Sequence, residues 1–176
     1  MKYFFSKLTL TMVSLNVFSV SYAANYQIPD KVQIGEWAIG RDGYLLLSQP
    51  SLAKQYCAER GQHLPSVPEM VRVAIDFGAN GIVPNPIPHV STGVTAKNVD
   101  GTTTYFHWDW RGFKTPESWP RLEYSLDNLN LLTSSEDSEN PMLFYKFSTL
   151  SGDFIEDYKS YGGTGHFFCI PDVPPK

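Results

Sequence analysis

The chain has 176 residues, 14 Lys and Arg against 18 Asp and Glu for a formal net charge of −4, and 14% aromatic residues. That length suits one domain with a real hydrophobic core. An acidic balance excludes nucleic acid as an electrostatic partner, which needs a basic track, and gives no attraction to anionic membrane surfaces.

The first 23 residues read as a secretory leader. Lys2 and Lys7 open it, residues 8–20 are largely apolar, and Ser21-Tyr22-Ala23 offers small residues where a signal peptidase reads. The apolar run is too short for a membrane span, and no cysteine follows it directly to carry a lipid. Cleavage after Ala23 would leave residues 24–176 as a single domain. It would remove two lysines and no acid, moving the net charge from −4 to −6. The protein is therefore expected to be exported, to the periplasm, the cell surface or the medium, with no membrane insertion after cleavage.

Cys57 and Cys169, the two cysteines of the chain, would then enter an oxidising compartment. They allow one pairing; two separate buried thiols are the alternative, and no metal-ligand spacing accompanies them. A bond between them would tie the two ends of the domain and contribute about 4–5 kcal/mol in the chain-entropy account.

Residues 24–30 read as an extended lead-in. Residues 34–48 read as a hairpin around Arg41-Asp42-Gly43, because Asp-Gly is a strong turn signal and Trp37, Ile39 and Tyr44 to Leu47 have strand character. Residues 51–60 form the first helix, with Ala53 and Cys57 at helical spacing on the buried face and Gly61 as its stop. Leu64-Pro65 leaves in an extended conformation. Residues 66–77 form the second helix: Ser66 with Glu69 three residues on is a capping-box pattern, Pro68 fits the first turn, and Met70, Val73, Ala74 and Phe77 share a face. Glu69 is accordingly read as a cap residue and not as a catalytic acid.

Residues 79–100 and 114–128, rich in Pro, Gly and Asn, read as long irregular segments of the kind that carry function. Between them, residues 102–110 (TTTYFHWDW) are β-branched and aromatic and read as a strand. Residues 130–135, 142–149, 154–159 and 166–170 read as further strands, with an acidic turn at 136–140 and a glycine-rich link at 162–165. Helices gathered early and strands gathered late predict an α+β fold with antiparallel strands, not alternating βαβ units.

The sequence resembles the C-type lectin-like fold at this point. The resemblance rests on Gly43-Tyr44 in the first strand, Ala53 and Cys57 in an A-x-x-x-C helix, Gly61, Leu64-Pro65, Glu69, and Phe167 two residues before Cys169. It is similar in particular to the bacterial Lcl-like domains. Leu132-Thr133-Ser134-Ser135-Glu136 resembles their W-T-S-S/T-E strand end with Leu132 in place of the tryptophan. Phe168-Cys169-Ile170 resembles their terminal R-C-V without the arginine. The resemblance covers about residues 34–172 in short pieces. It implies two short helices, antiparallel strands with long loops, and a Cys57–Cys169 disulfide. Sugar-binding members carry Glu-Pro-Asn or Gln-Pro-Asp and a downstream Trp-Asn-Asp; none occurs here. Calcium needs six to eight oxygens, so recognition by that calcium route is not expected.

Chemistry-bearing residues are few. His107 and Asp109 alternate across Trp108 and would share one side of a strand, as a metal-ligand pair or a base with its orienting acid, but no third partner stands at a recognisable spacing. Glu136, Asp137, Glu139 and Asn140 could offer oxygens to calcium, yet they lack the glycine and alternation of a calcium loop and read as a solvated turn. Gly-x-Ser-x-Gly is absent, and Gly162-Gly163-Thr164-Gly165 lacks the lysine and context of a phosphate loop.

The remaining signal is aromatic. Tyr105, Trp110, Trp119 and Tyr124 sit in or beside the irregular segments and are the candidate ligand-binding residues; one of Trp108 and Trp110 is expected in the core, and Trp119, between prolines, is expected to be the exposed anchor. The leading expectation is a non-enzymatic, adhesin-like bacterial recognition domain, needing no cofactor, that binds a protein or glycan ligand through its long loops. A structural or accessory subunit of an envelope, pilus or secretion assembly is the alternative. A hydrolase using His107 and Asp109 is the third.

Overall fold

A computed structural model describes residues 27–84, 91–120, 128–159 and 163–172. The expected leader, Tyr124 and Gly162 of the glycine-rich link lie outside the described residues. Two helices, antiparallel strands and one disulfide make the chain α+β. Helix α1 (Pro50–Ala58) starts on a proline, which has no N–H to lose in a first turn, and buries Ala53 and Cys57. Gly61 follows at φ +65°, the left-handed conformation that ends a helix without a Cβ clash. Helix α2 (Val67–Asp76) carries the full capping box: the Ser66 side chain accepts from the Glu69 N–H, and the Glu69 carboxylate accepts from the Ser66 N–H. Its inner face buries Val67, Met70, Val71, Val73 and Ala74.

Strands β2 (Gly81–Ile82), β3 (Thr92–Lys97), β4 (Thr103–Asp109), β5 (Asn130–Asp137), β6 (Leu143–Ser148) and β7 (Phe154–Tyr158) form an antiparallel sheet in the order β2-β4-β3-β5-β6-β7. A second, two-stranded sheet pairs β1 (Gln62–His63), between the helices, with β8 (Ile170–Pro171) at the far end of the chain.

Three expectations are corrected. The segment 79–100 is not irregular throughout: it holds β2 and β3, because Val94 and Ala96 alternate inward while Gly93 and Lys97 face out. The acidic turn at 136–140 begins too early, since Glu136 and Asp137 still belong to β5. The hairpin at 34–48 has a single internal bridge, Ile39 to Leu45; its arms pair instead with the chain end, Trp37 with Phe168 and Ser48 with Gly165.

The larger core cluster packs α2 against the sheet and includes Phe106, Trp108, Phe147 and Phe168. A smaller cluster surrounds the disulfide with Ala38, Ala53, Leu64, Leu132, Phe144 and Phe167. Cys57 and Cys169 are bonded, 112 residues apart, with both ends fully buried. Trp119 is a fourth correction. It is 5% exposed, its ring edge-on to Trp37 at 5.3 Å and Phe77 at 5.5 Å. Its backbone N–H donates to the Pro116 carbonyl, a tight turn that folds the indole inward, where a ring of that size gains most from burial. It is a core residue, not an exposed anchor.

Candidate functional site

A cleft of about 920 Å³ opens between the α1–β1–α2 junction and the tip of the β3–β4 hairpin. His63 and Glu69 stand on its first wall; Val99, Asp100 and Tyr105 stand on its second; Leu64 and Ser134 line it between them.

The sequence places the first wall by its helix signals. Gly61 ends α1, the exit before Pro65 extends the chain, and His63 is thereby set in β1 beside the first turn of α2. The His63 imidazole lies between two carboxylates, Nε2 2.8 Å from Glu69 Oε1 and Nδ1 2.7 Å from Asp172 Oδ1. The bond to Glu69 leads in holding the ring protonated; burial works against it, Asp172 adds to it, and the pKa rises to about 9. Both ring nitrogens therefore donate, and neither is free to act as a base. Burial pushes the Glu69 carboxyl up, but the bonds from His63 and Ser66 outweigh it and hold the group below its ordinary value. The cap reading of Glu69 is right, and the same carboxylate also receives the imidazolium.

The second wall is a turn. Asp100 Oδ1 accepts from the Thr102 N–H at 2.9 Å and hydroxyl at 2.7 Å, and Gly101 supplies φ +84°. Asn98 Nδ2 donates to the Thr104 hydroxyl, and Asn98 Oδ1 accepts from Ser135 Oγ at 2.6 Å. Lys54 pairs with Glu136 at 3.8 Å; burial lowers its pKa and Glu136 partly restores it.

Of the four candidate ligand-binding residues, Tyr105 lines the cleft and is 51% exposed. Trp110 is half-buried against the main core, Trp119 is inside it, and Tyr124 lies outside the described residues. His107 and Asp109 do not line the cleft. The Arg111 guanidinium grips Asp109, with Nη2 at 2.6 Å and Nε at 2.9 Å, and Asn80 donates at 3.0 Å. These bonds hold the buried carboxyl well below the usual carboxylate range. The His107 ring packs edge-on against Tyr105 at 5.9 Å.

Glu136, Asp137 and Asn140 of the acidic segment each engage the chain through a side-chain oxygen. Glu136 sits 2.6 Å from Lys159, Asp137 Oδ1 accepts from the Glu139 and Asn140 N–H groups, and Asn140 Oδ1 accepts from the Met142 N–H. Among the described residues no group of three or more His, Cys, Asp or Glu is gathered to hold a metal, and no helix is long and apolar enough to cross a membrane.

Sequence reasoning missed His63, Asp172 and Val99. His63 meets a partner 109 residues away, and nothing local announces that pairing. The accessible signal was the Asn98-to-Thr102 run, whose Asp-Gly marks a turn inside a segment read as formless. Compared with protein-family models, curated proteins and solved structures, the chain has no significant match.

Proposed function

We propose that this chain is an exported recognition domain that holds a protein or glycan ligand in the cleft between the α1–β1–α2 junction and the β3–β4 tip. The observation that carries the reading is the wall chemistry. Amides, hydroxyls, one exposed ring, apolar side chains and the charged Lys54, Glu69 and Asp100 line the cleft, while its imidazole has a carboxylate on each nitrogen and no lone pair for proton abstraction. The disulfide and the leader-like residues 1–23 support export. The Cys57–Cys169 tie, the A-x-x-x-C helix and the capping Glu69 keep the C-type lectin-like fold, in its bacterial form without the calcium tripeptides, as the proposed architecture.

The test is binding of the oxidised protein to a glycan array and to a panel of matrix proteins, each with calcium and with chelator. Binding that survives chelation and falls about tenfold in Tyr105→Ala supports the reading. Binding indifferent to Tyr105→Ala moves the site off the cleft. Binding lost on chelation overturns the calcium-free mechanism.

A second reading, an accessory subunit of an envelope assembly, is favoured by one observation. Ile39, Tyr44, Leu47 and Leu52 all leave about half or more of their surface to solvent within one short stretch of chain. No binding on any surface, with recovery of the protein in an envelope complex, would favour it.

A further inference from the structure

Resting on the cleft reading, we infer that the occupant presents a cation on an aliphatic stem, an ammonium or guanidinium of the lysine or arginine kind, received by Asp100 and Tyr105 on the β3–β4 hairpin. The first ground is the state of each charge on the cleft wall. Lys54 is met by Glu136 at 3.8 Å, and His63 by Glu69 and Asp172. Asp100 is exposed and, among the described residues, touches no opposite charge. Its Oδ1 takes both Thr102 bonds, which hold its carboxyl below the ordinary carboxylate value and keep it ionised at neutral pH. A carboxylate offers about four acceptor positions, so capacity for a ligand's donor remains. Glu136 also meets Lys159 at 2.6 Å, and with every such partner counted the cleft keeps an excess of one negative charge. An anion would meet that excess, whereas a cation removes it.

The second ground is the surface beside that carboxylate. Val99, its neighbour at the tip, is 73% exposed, and the half-exposed Tyr105 ring is set edge-on to His107 at 5.9 Å. Both line the cleft with Asp100. Asp100 closes on Thr102, and three residues of extended chain, about 10 Å, separate Thr102 from Tyr105. A compact cation reaches one of these stations and not the other. A long basic group reaches both, with its head at the carboxylate and its stem along the aliphatic and aromatic surface. The third ground is that the chain builds the same trio for itself just after α1. The Arg60 guanidinium lies over the Tyr56 ring at 3.5 Å, and its Nε stands 3.9 Å from Glu36. The cleft offers the ring and the carboxylate without the cation. A neutral sugar can also stack on Tyr105 and give its hydroxyls to Asp100. Asp100→Asn separates the two occupants, because the amide oxygen still accepts from a hydroxyl and from Thr102 but carries no charge.

The experiment follows the amide NMR spectrum of the oxidised protein during titration with N-acetyl-lysine methylamide, its arginine and norleucine analogues, and pentylamine. Norleucine keeps an aliphatic stem and lacks the charge. The parent is compared with Asp100→Asn, Tyr105→Ala and Glu117→Gln; all three sites are exposed, so the variants keep the core, and Glu117 lies outside the cleft. The lysine and arginine probes should move the signals of residues 98–105. They should bind about fivefold more weakly to Asp100→Asn and to Tyr105→Ala, and unchanged to Glu117→Gln, as befits exposed contacts. The norleucine probe should bind about fivefold more weakly than the lysine probe. Pentylamine binding as tight as the lysine probe's supports a free amine as the source, and weaker binding supports a polypeptide side chain. Equal binding of the lysine and norleucine probes, or lysine binding indifferent to Asp100→Asn, overturns the inference. A glycan from the array that is lost in Tyr105→Ala and kept in Asp100→Asn overturns it too, yet leaves the cleft as the binding site. No probe, glycan or matrix protein sensitive to either cleft variant overturns both readings.

Discussion

Long-range ties hold the α1–β1–α2 wall of the cleft, whereas bonds within a few residues hold the β3–β4 tip. On the first wall, Cys57 reaches Cys169 across 112 residues and His63 reaches Asp172 across 109. The Val67 N–H donates to Ser135 Oγ at 3.0 Å, across 68. On the tip, Asn98 N–H meets the Thr102 carbonyl at 2.8 Å, Gly101 N–H meets the Asn98 carbonyl at 3.0 Å, and Asp100 closes on Thr102. The first wall exists only when the chain ends have met. The second is closed by its own local bonds and tied back to the first wall through Asn98, so its outward side chains can change with little effect on the fold.

Removing the disulfide should produce the largest effect and fall on the first wall. The Cys57→Ala/Cys169→Ala variant is expected to lose about 4–5 kcal/mol in urea unfolding, because the open chain regains the entropy of a loop of this size. A loss below about 1 kcal/mol would mean that the other ties hold the ends without it, and the distinction between the walls would fail.

Asn98 is the point where the walls meet. Its Oδ1 accepts from Ser135 Oγ, and Ser135 Oγ in turn accepts from the Val67 N–H that opens α2. Asn98→Ala strands the buried Ser135 hydroxyl and should cost about 2 kcal/mol. Asn98→Asp keeps the acceptor and should recover part of that in the same urea titration. A loss in Asn98→Ala equal to the disulfide's would show that the tip is structural and not a separable turn.

What the sequence made legible divides along the same line. The helices were legible because their signals are local: Ser66 and Glu69 three apart, Gly61 as a stop, Ala53 and Cys57 four apart. The cysteine pairing was legible because two cysteines leave one partner each. Strand β3 was hidden, since its inward Val94 and Ala96 are small and its neighbours are Pro, Gly and Asn. Trp119 was misread because flanking prolines signal a loop without saying which way the indole turns. A loop residue takes its burial from the tertiary fold, here from Trp37, Phe77 and Phe168.

The smallest effect should come from His63, and it should carry a pH signature. The folded pKa of about 9 lies above the ordinary 6.5, so its contribution is fully present below pH 6.5 and is lost as pH rises through about 9. Glu69 runs the other way: its folded value is depressed, so its contribution is present above its ordinary 4.5 and lost as pH falls below it. His63→Gln keeps the shape and removes the charge. With the His63 side chain 40% exposed, the clamp is screened by solvent, and the substitution should cost only about 1 kcal/mol near neutral pH. Thermal unfolding of both proteins across pH should show that difference closing as the parent passes pH 9. NMR titration of the imidazole should find it doubly protonated at pH 8. An imidazole titrating near 6.5 would mean that Glu69 and Asp172 do not close on His63 together. The first wall would then rest on its disulfide and on the Ser66–Glu69 cap, with Asp172 contributing nothing.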